Sequence, residues 1–351
     1  MPRANWKEWD STAENFSRHE GIPSYLVYGT LSKEIPEVSI MVLTYRRAEK
    51  LERALNSALS QDFRGKYEII VVDDCPYDEA TDVLMRRLCS EHSNLLYYRN
   101  EKNLGQYANW NRAAELCRTK WFCLLHNDDY LMPDYLSTMT ELEDPNIGLI
   151  GTYFVVKEER EDVAPKRRLL DVAIDTALNL SKDKLIPLTL RDNIKHIFTF
   201  SCCLFINREK YFEAGGLNED YYPSSDFVFS SKMNTIASTA FYPNKMSVRT
   251  VGDNVSLRQE VCDDSIRDAY HHTFYIAKSL GFTDKKAQKL ASRAAVFAEI
   301  GVKGYNDVDY GGVKKELGMS AAYNNSFIIF LLNLYSKFNW GLLFLRPKLS
   351  R

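Results

Sequence analysis

The sequence predicts an α/β domain, a mostly parallel sheet flanked by helices, followed by a helical C-terminal appendage. Three observations predict it. From residue 38 onward, short β-branched apolar runs alternate with stretches of helical spacing. Two of those runs stop abruptly at paired acids, Asp73-Asp74 and Asp128-Asp129. Residues 265–300 carry apolar side chains at a helical period, including Ala269, Ile276, Ala277, Leu290, Ala294 and Phe297.

Each element follows from local chemistry. Residues 1–36 are polar with scattered aromatics (Trp6, Trp9, Phe16, Tyr25, Tyr28) and read as an arm lying over a larger domain, closed by Pro36. Residues 38–43 form a buried strand. Residues 47–61 place Leu51, Ala54, Leu55, Ala58 and Leu59 at helical spacing. A second strand, 67–72, ends at Asp73-Asp74. Residues 79–91 are expected to be helical with Val83, Leu84 and Leu88 on one side. Residues 95–98 make a third strand, Asn103-Leu104-Gly105 a turn, and 106–118 another helix. The fourth strand, 121–125, ends at His126-Asn127-Asp128-Asp129. Residues 148–151 form one more strand, 157–168 a charged, exposed connection, 198–207 an apolar segment, and Gly215-Gly216 a turn. This alternation is that of parallel strands joined by crossover helices. Ligands of such sheets bind beyond the carboxyl ends of the strands, where both acid pairs fall. The chain divides into an arm (1–36), an α/β domain (37–256) and a helical region (257–351).

Composition narrows the partners. Lys plus Arg total 45 and Asp plus Glu 47, a formal charge of −2. Without a basic excess, nucleic acid is not expected as a partner. The seven cysteines include no C-x-x-C pair and several lie in apolar runs, so they read as reduced, buried thiols. The first residues carry no apolar signal region. Both features predict a cytoplasmic location.

Three acidic constellations stand out. Asp128-Asp129 cannot hold a nucleoside diphosphate directly. Through Mn²⁺ or Mg²⁺, which favour hard carboxylate oxygens, it can. Such a metal also offsets charge on a departing diphosphate. A carboxylate of Asp73-Asp74 can accept hydrogen bonds from a base or ribose. Asp226, behind Ser224 and Ser225 and about ten residues past Gly215-Gly216, is placed to be a general base. Each also reads as a helix cap or Asx-turn, and that alternative stays open for all three.

Taken together, seven elements in order and spacing resemble family 2 glycosyltransferases of the bacterial surface-polysaccharide type, which have the GT-A, Rossmann-like fold. They are the strand and turn 38–47, Ser57-Ala58-Leu59-Ser60-Gln61, 69–74, Asn103-Leu104-Gly105 with Asn111, 125–129, 215–219 and Ser225-Asp226. The resemblance covers roughly residues 37–256. It implies a nucleotide-sugar-binding and catalytic domain, with a UDP-linked donor the commonest guest. It implies a nucleotide site of Leu43, Thr44, Tyr45, Arg47, Asp74, Asn111 and Asp128. It implies a metal held by Asp129 and Asp128, with His126 in the place of the usual first aspartate. Asp226 matches the base that deprotonates the acceptor hydroxyl in inverting members. Two departures are visible. A histidine common near Val251-Gly252 is missing, with Asp253 close by, and an arginine common before Asn111 is Trp110. The processive QxxRW pattern is absent, which favours addition of a single sugar. Two other readings compete: a non-catalytic nucleotide-sugar or glycan-binding module, and a sugar nucleotidyltransferase, whose Gly-rich loop is missing at Thr44-Tyr45-Arg46-Arg47.

Residues 326–346 are markedly apolar but interrupted by Asn333, Ser336, Lys337 and Asn339. A span needs about 20 apolar residues and tolerates mid-span charge poorly. The favoured reading is a helix lying on the membrane surface, with Arg346, Lys348 and Arg351 meeting anionic lipid. A buried packing helix and a true span are the alternatives. A surface helix suits a peripheral enzyme on the cytoplasmic face, acting on a saccharide or lipid-linked saccharide acceptor.

Overall fold

The computed structural model describes residues 4–10, 14–160, 183–195, 203–303 and 309–343. Residues 161–168 of the charged connection, 198–202 of the apolar segment, Cys202 and residues 344–351 lie outside them. The strands are β1 (Ser24–Tyr28), β2 (Val38–Thr44), β3 (Tyr67–Asp73), β4 (Leu95–Asn100), β5 (Trp121–His126), β6 (Tyr130–Leu131), β7 (Ile147–Glu158), β8 (Ile186–Leu188), β9 (Leu204–Asn207) and β10 (Ser238–Val251). The helices are α1 (Ala48–Leu59), α2 (Glu79–Glu91), α3 (Gln106–Leu116), α4 (Tyr135–Glu141), α5 (Leu190–Asn193), α6 (Arg208–Glu213), α7 (Ser225–Ile236), α8 (Gln259–Ser279), α9 (Asp284–Lys303), α10 (Gly311–Glu316) and α11 (Ser326–Leu343).

All ten strands join one sheet, in the order β1-β4-β3-β2-β5-β9-β7-β10-β6, with β8 beside β10. The central pairs β4/β3, β3/β2 and β2/β5 are parallel, as are β7 and β10. From β2 the chain first builds outward through β3 and β4. It then returns to place β5 on the other side of β2. The strand order therefore reverses between β2 and β5, and the crevice above that point is where such sheets bind ligands.

Buried strands with both faces covered need apolar side chains on both. Ile40, Val42, Ile69 and Val71 pack with Leu51 and Leu55 of α1 and Leu84, Met85 and Leu88 of α2. Met41, Ile70 and Val72 point the other way, into a second layer with Trp110 of α3, Tyr211 of α6 and Phe229 of α7. Helix α2 starts at Asp78, whose carboxylate accepts from the Thr81 amide at 3.0 Å, an N-cap.

Several expectations are refined. Val83 does not share the buried side of α2: it is 58% exposed, and Met85 completes the face with Leu84 and Leu88. Leu84 and Leu88 lie on the buried face as expected, and Val83, about 100° around the helix from Leu84, turns to solvent. The arm contributes β1, an antiparallel edge strand on β4. The strand at 148–151 is the core of the longer β7, which takes in residues 157 and 158. The helical stretch 265–300 is two packed helices, α8 and α9, separated at Gly281. The six described cysteines are free thiols, five of them buried and Cys89 half-buried.

Candidate active site

Register brings the strand ends level. Leu43 pairs with Val72 on one side and His126 on the other, and Thr44 pairs with Asp73. The turn after β2 therefore stands between the two acid pairs. Thr44 is buried, with its hydroxyl 3.3 Å from the Asn127 amide and its carbonyl accepting from the Asp74 amide at 3.0 Å. Tyr45 is 45% exposed, and the Arg46 guanidinium lies over its ring. Arg46 itself has φ +53°, which tightens the turn. Arg47 begins α1 and reaches Asp128 Oδ2 at 3.5 Å and Asp253 at 4.0 Å.

The β3 pair is absorbed by the fold. Asp73 is fully buried and accepts from the Cys75 amide (3.0 Å) and the Tyr97 hydroxyl (2.7 Å). Burial pushes its carboxyl up to about 6, against the lowering pull of those donors and Arg99. Asp74 is 4% exposed. It accepts from Asn100 Nδ2 (2.9 Å) and from the amides of Leu104 (2.7 Å) and Gly105 (2.9 Å). Gly105 has φ +88°, the conformation that turns this loop into α3. Burial raises the Asp74 carboxyl, and the three donors pull it back.

The β5 end is built differently. His126, Asp128 and Asp129 offer ligand atoms all within 4.8 Å of one another. His126 Nε2 is buried without a hydrogen-bond partner among the described residues, and its ring meets Trp110 edge-on at 5.0 Å. Asp128 Oδ2 accepts from Asn254 Nδ2 at 2.9 Å, while its Oδ1 makes no hydrogen bond among the described residues. Asp129 Oδ1 accepts from the Thr250 amide at 2.8 Å. The end of β10 and the loop after it thus hold both carboxylates from behind. One imidazole nitrogen and two carboxylates in this span fit a divalent cation of the Mn²⁺ or Mg²⁺ kind. Asp253 is not with them: its side chain is 70% exposed and paired with Lys50.

Asp226 stands in the first turn of α7, its Oδ1 accepting from the Phe227 amide at 3.0 Å. Tyr107, in the first turn of α3, donates to the Pro223 carbonyl at 2.5 Å. Burial, and then the Asp226 charge, push its hydroxyl well above the ordinary range. Tyr107 meets Trp110 edge-on at 6.1 Å, so one aromatic chain, Tyr107-Trp110-His126, links the Asp226 turn to the β5 acids. Asn111, expected at the nucleotide, is 4% exposed. Its Oδ1 accepts from the Tyr211 hydroxyl and the Leu217 amide, and its Nδ2 donates to the Leu217 carbonyl. It fastens α3 to the Gly215-Gly216 turn. There a Cβ on Gly216 would sit 2.5 Å from that same Oδ1.

Four contributors were missed by sequence reasoning: Asn254, the Thr250 amide, Asn127 and Tyr107. Asn254 lies 126 residues beyond Asp128, and the antiparallel pairing of β10 with β6, Ser247 with Leu131 and Val248 with Tyr130, brings it close. No local pattern marks it.

A mixed sheet, parallel from β4 to β5 and again between β7 and β10, with a cation-ready acid cluster at its switch point and a further acid opening a nearby helix, defines an α/β enzyme of the GT-A type. The chain belongs to glycosyl transferase family 2: the family model matches residues 39–214, half of the chain. It is a glycosyltransferase. Among its relatives, the abequosyltransferase RfbV of Salmonella typhimurium is 25% identical over 64% of this chain and 69% of its own length. A Mycobacterium tuberculosis protein, MT1568, is 26% identical over 61% of this chain and 67% of its own. A Campylobacter jejuni GalNAc(5)-diNAcBac-PP-undecaprenol beta-1,3-glucosyltransferase is 31% identical over 35% of this chain and 40% of its own length. The last match thus spans under half of the relative. In fold, the chain is similar to the Pyrobaculum calidifontis mannosyltransferase PcManGT, solved with GDP-Man and Mn²⁺ (TM-score 0.52, 18% identity, covering 93% of this chain and 92% of that one). It is also similar to S. aureus TarS 1-349 with UDP-GlcNAc (TM-score 0.54, 16% identity, covering 88% and 90%).

Proposed function

We propose that the protein transfers one sugar from a UDP-linked donor to a saccharide acceptor with inversion, and that the acceptor is a lipid-linked glycan precursor used at the cytoplasmic face of the membrane. The observation that carries the transfer chemistry is the His126, Asp128 and Asp129 cluster at the switch point, with a buried His126 Nε2 that has no hydrogen-bond partner among the described residues. The relatives' names support the choice of acceptor, one of them containing a polyprenyl diphosphate.

In this reading Leu43, Thr44, Tyr45 and Arg47 line the nucleotide pocket, and Arg47 adds positive charge toward the phosphates. Asp128, Asp129 and His126 hold the metal, which offsets charge on the leaving diphosphate when bound. Asp74 and Asn111 act as positioning residues, one fixing the 103–105 loop and the other the 215–217 turn. Asp226 takes the proton of the acceptor hydroxyl. The oxygen then attacks the anomeric carbon from the face opposite the diphosphate, which leaves with the bonding pair.

Two measurements test this. Asp226→Asn should lower kcat by about 10²–10⁴-fold with little change in nucleotide binding. NMR of the product should show the donor's anomeric configuration inverted. Retention of that configuration, or near-parental turnover by Asp226→Asn, removes Asp226 from the base role.

A further inference from the structure

Helix α11 is amphipathic the wrong way round for a helix on a soluble protein. Phe327, Phe330, Leu331, Leu334, Phe338 and Leu342 are each 37–67% exposed. Their spacing, i, i+3, i+4, i+7, i+11 and i+15, puts them on one face. The polar side chains lie toward the protein: Asn339 is buried, and Asn333, Ser336 and Lys337 are half-buried, on the sides away from the stripe. Through that side α11 packs on α9. A contiguous apolar face of this kind marks a contact site.

Charge says what it contacts. Glu316 is the last acid of the sequence, and after it come Lys337, Arg346, Lys348 and Arg351. The formal charge of −2 therefore divides into +4 over residues 317–351 and −6 over the rest. At the rim of the stripe, the Arg293 guanidinium of α9 lies over the Tyr335 ring at 5.4 Å. That split in charge, read from the sequence, sets the basic C-terminal stretch apart from the acidic remainder of the chain. An anionic surface would be complementary to it. The helix has 18 residues, a length of about 27 Å. Among the described residues, no helix is long and apolar enough to cross a membrane.

We propose that α11 docks the protein on an anionic lipid leaflet. The Phe/Leu stripe enters the boundary between headgroups and acyl chains, with Arg293 at its rim, and the net positive charge of the C-terminal stretch favours a surface of lipid phosphates. The polar residues of the helix stay against α9. This deepens the reading of a lipid-linked acceptor and rests on it for its purpose, but its physical basis is the exposed stripe of α11 and the basic C-terminal sequence.

The test is flotation of the full chain with vesicles of phosphatidylcholine, pure or carrying about 30 mol% phosphatidylglycerol. The parent should bind the anionic vesicles at least about tenfold more strongly than the neutral ones at roughly 0.1 M salt, with most of that preference gone at roughly 0.5 M. F330D/L334D, at two exposed positions, should lower binding about tenfold or more and leave the unfolding midpoint unchanged. R346A/K348A/R351A should remove the anionic preference while weak neutral binding persists. Equal flotation of parent and F330D/L334D overturns the proposal. So does absence of flotation with either vesicle. A parent dimer by light scattering that F330D/L334D splits, without vesicle binding, assigns the face to a second copy instead. UDP binding by F330D/L334D should equal the parent's. Its loss would count against the transferase site, separately from the outcome with lipid.

Discussion

Two pairs of aspartates follow the two parallel strands that flank β2, β3 and β5, and they do opposite work. Asp73 and Asp74 end β3 in a nest of donors supplied by the fold: the Tyr97 hydroxyl, Asn100, and the amides of Cys75, Leu104 and Gly105. Beyond β5, Asp129 is held by the Thr250 amide, but among the described residues Asp128 Oδ1 makes no hydrogen bond and the neighbouring His126 Nε2 has no partner. Sequence places the two pairs in equivalent positions. What separates them is who satisfies the carboxylates. A buried acid that the protein has already satisfied holds a loop in place. One left open toward a crevice recruits a cation and, through it, phosphate.

Breaking this contrast gives graded outcomes. The largest is kinetic. Asp128→Ala should reduce kcat/KM by about 10³-fold, ~4 kcal/mol of transition-state stabilisation, with an unfolding midpoint close to the parent's. A thermal melt beside the kinetic assay checks both halves. The next is thermodynamic and reverses the pattern. Asp74→Ala strands the Leu104 and Gly105 amides and should cost about 3 kcal/mol of stability in urea unfolding. A variant that instead stays fully stable and loses activity would give Asp74 to the ligand.

Asp73 supplies a subtler difference. Its carboxyl is raised to about 6 in the folded state by burial, above the unfolded value of about 3.9. Between those limits the folded protein holds a proton the unfolded chain has released. The contribution is therefore full at low pH and lost as pH rises through 6. Relative to Asp73→Asn, the parent should lose roughly 2–3 kcal/mol between pH 4 and 6.5, measured by denaturant unfolding at each pH. The smallest effect sharpens the boundary of the core. Val83→Ser, at an exposed site on α2, should change stability by less than about 0.5 kcal/mol.

The central sheet was legible because its strands are continuous β-branched runs and its helices carry a clear period. That covers β2 through β5 and α1 through α3. Elements whose identity depends on tertiary partners were not legible. Strand β1, Ser-Tyr-Leu-Val-Tyr, is an edge strand defined by pairing with β4, and Ser24–Tyr28 shows no polar and apolar alternation that marks it. Val83 and Met85, two residues apart, lie about 200° apart around α2, so one faces solvent and the other the core. At the site, the acids themselves stood out as residue types at strand ends. Their partners did not, since Asn254 and Tyr107 reach the site by topology. The apolar character of residues 326–346 was plain. Which side faces outward was not, because the polar residues that interrupt it turn toward α9.

The central claim is that the β5 cluster, and not the β3 pair, binds the donor nucleotide through a divalent cation. Titration calorimetry of UDP in the presence of Mn²⁺ and of EDTA, for the parent, Asp128→Ala and His126→Ala, tests it most directly. The parent should bind UDP at least about tenfold more tightly with Mn²⁺, a difference of ~1.4 kcal/mol, and both variants should lose that increment while keeping the metal-free affinity. Equal UDP affinity with Mn²⁺ and EDTA in the parent, or an undiminished Mn²⁺ effect in Asp128→Ala, would contradict it.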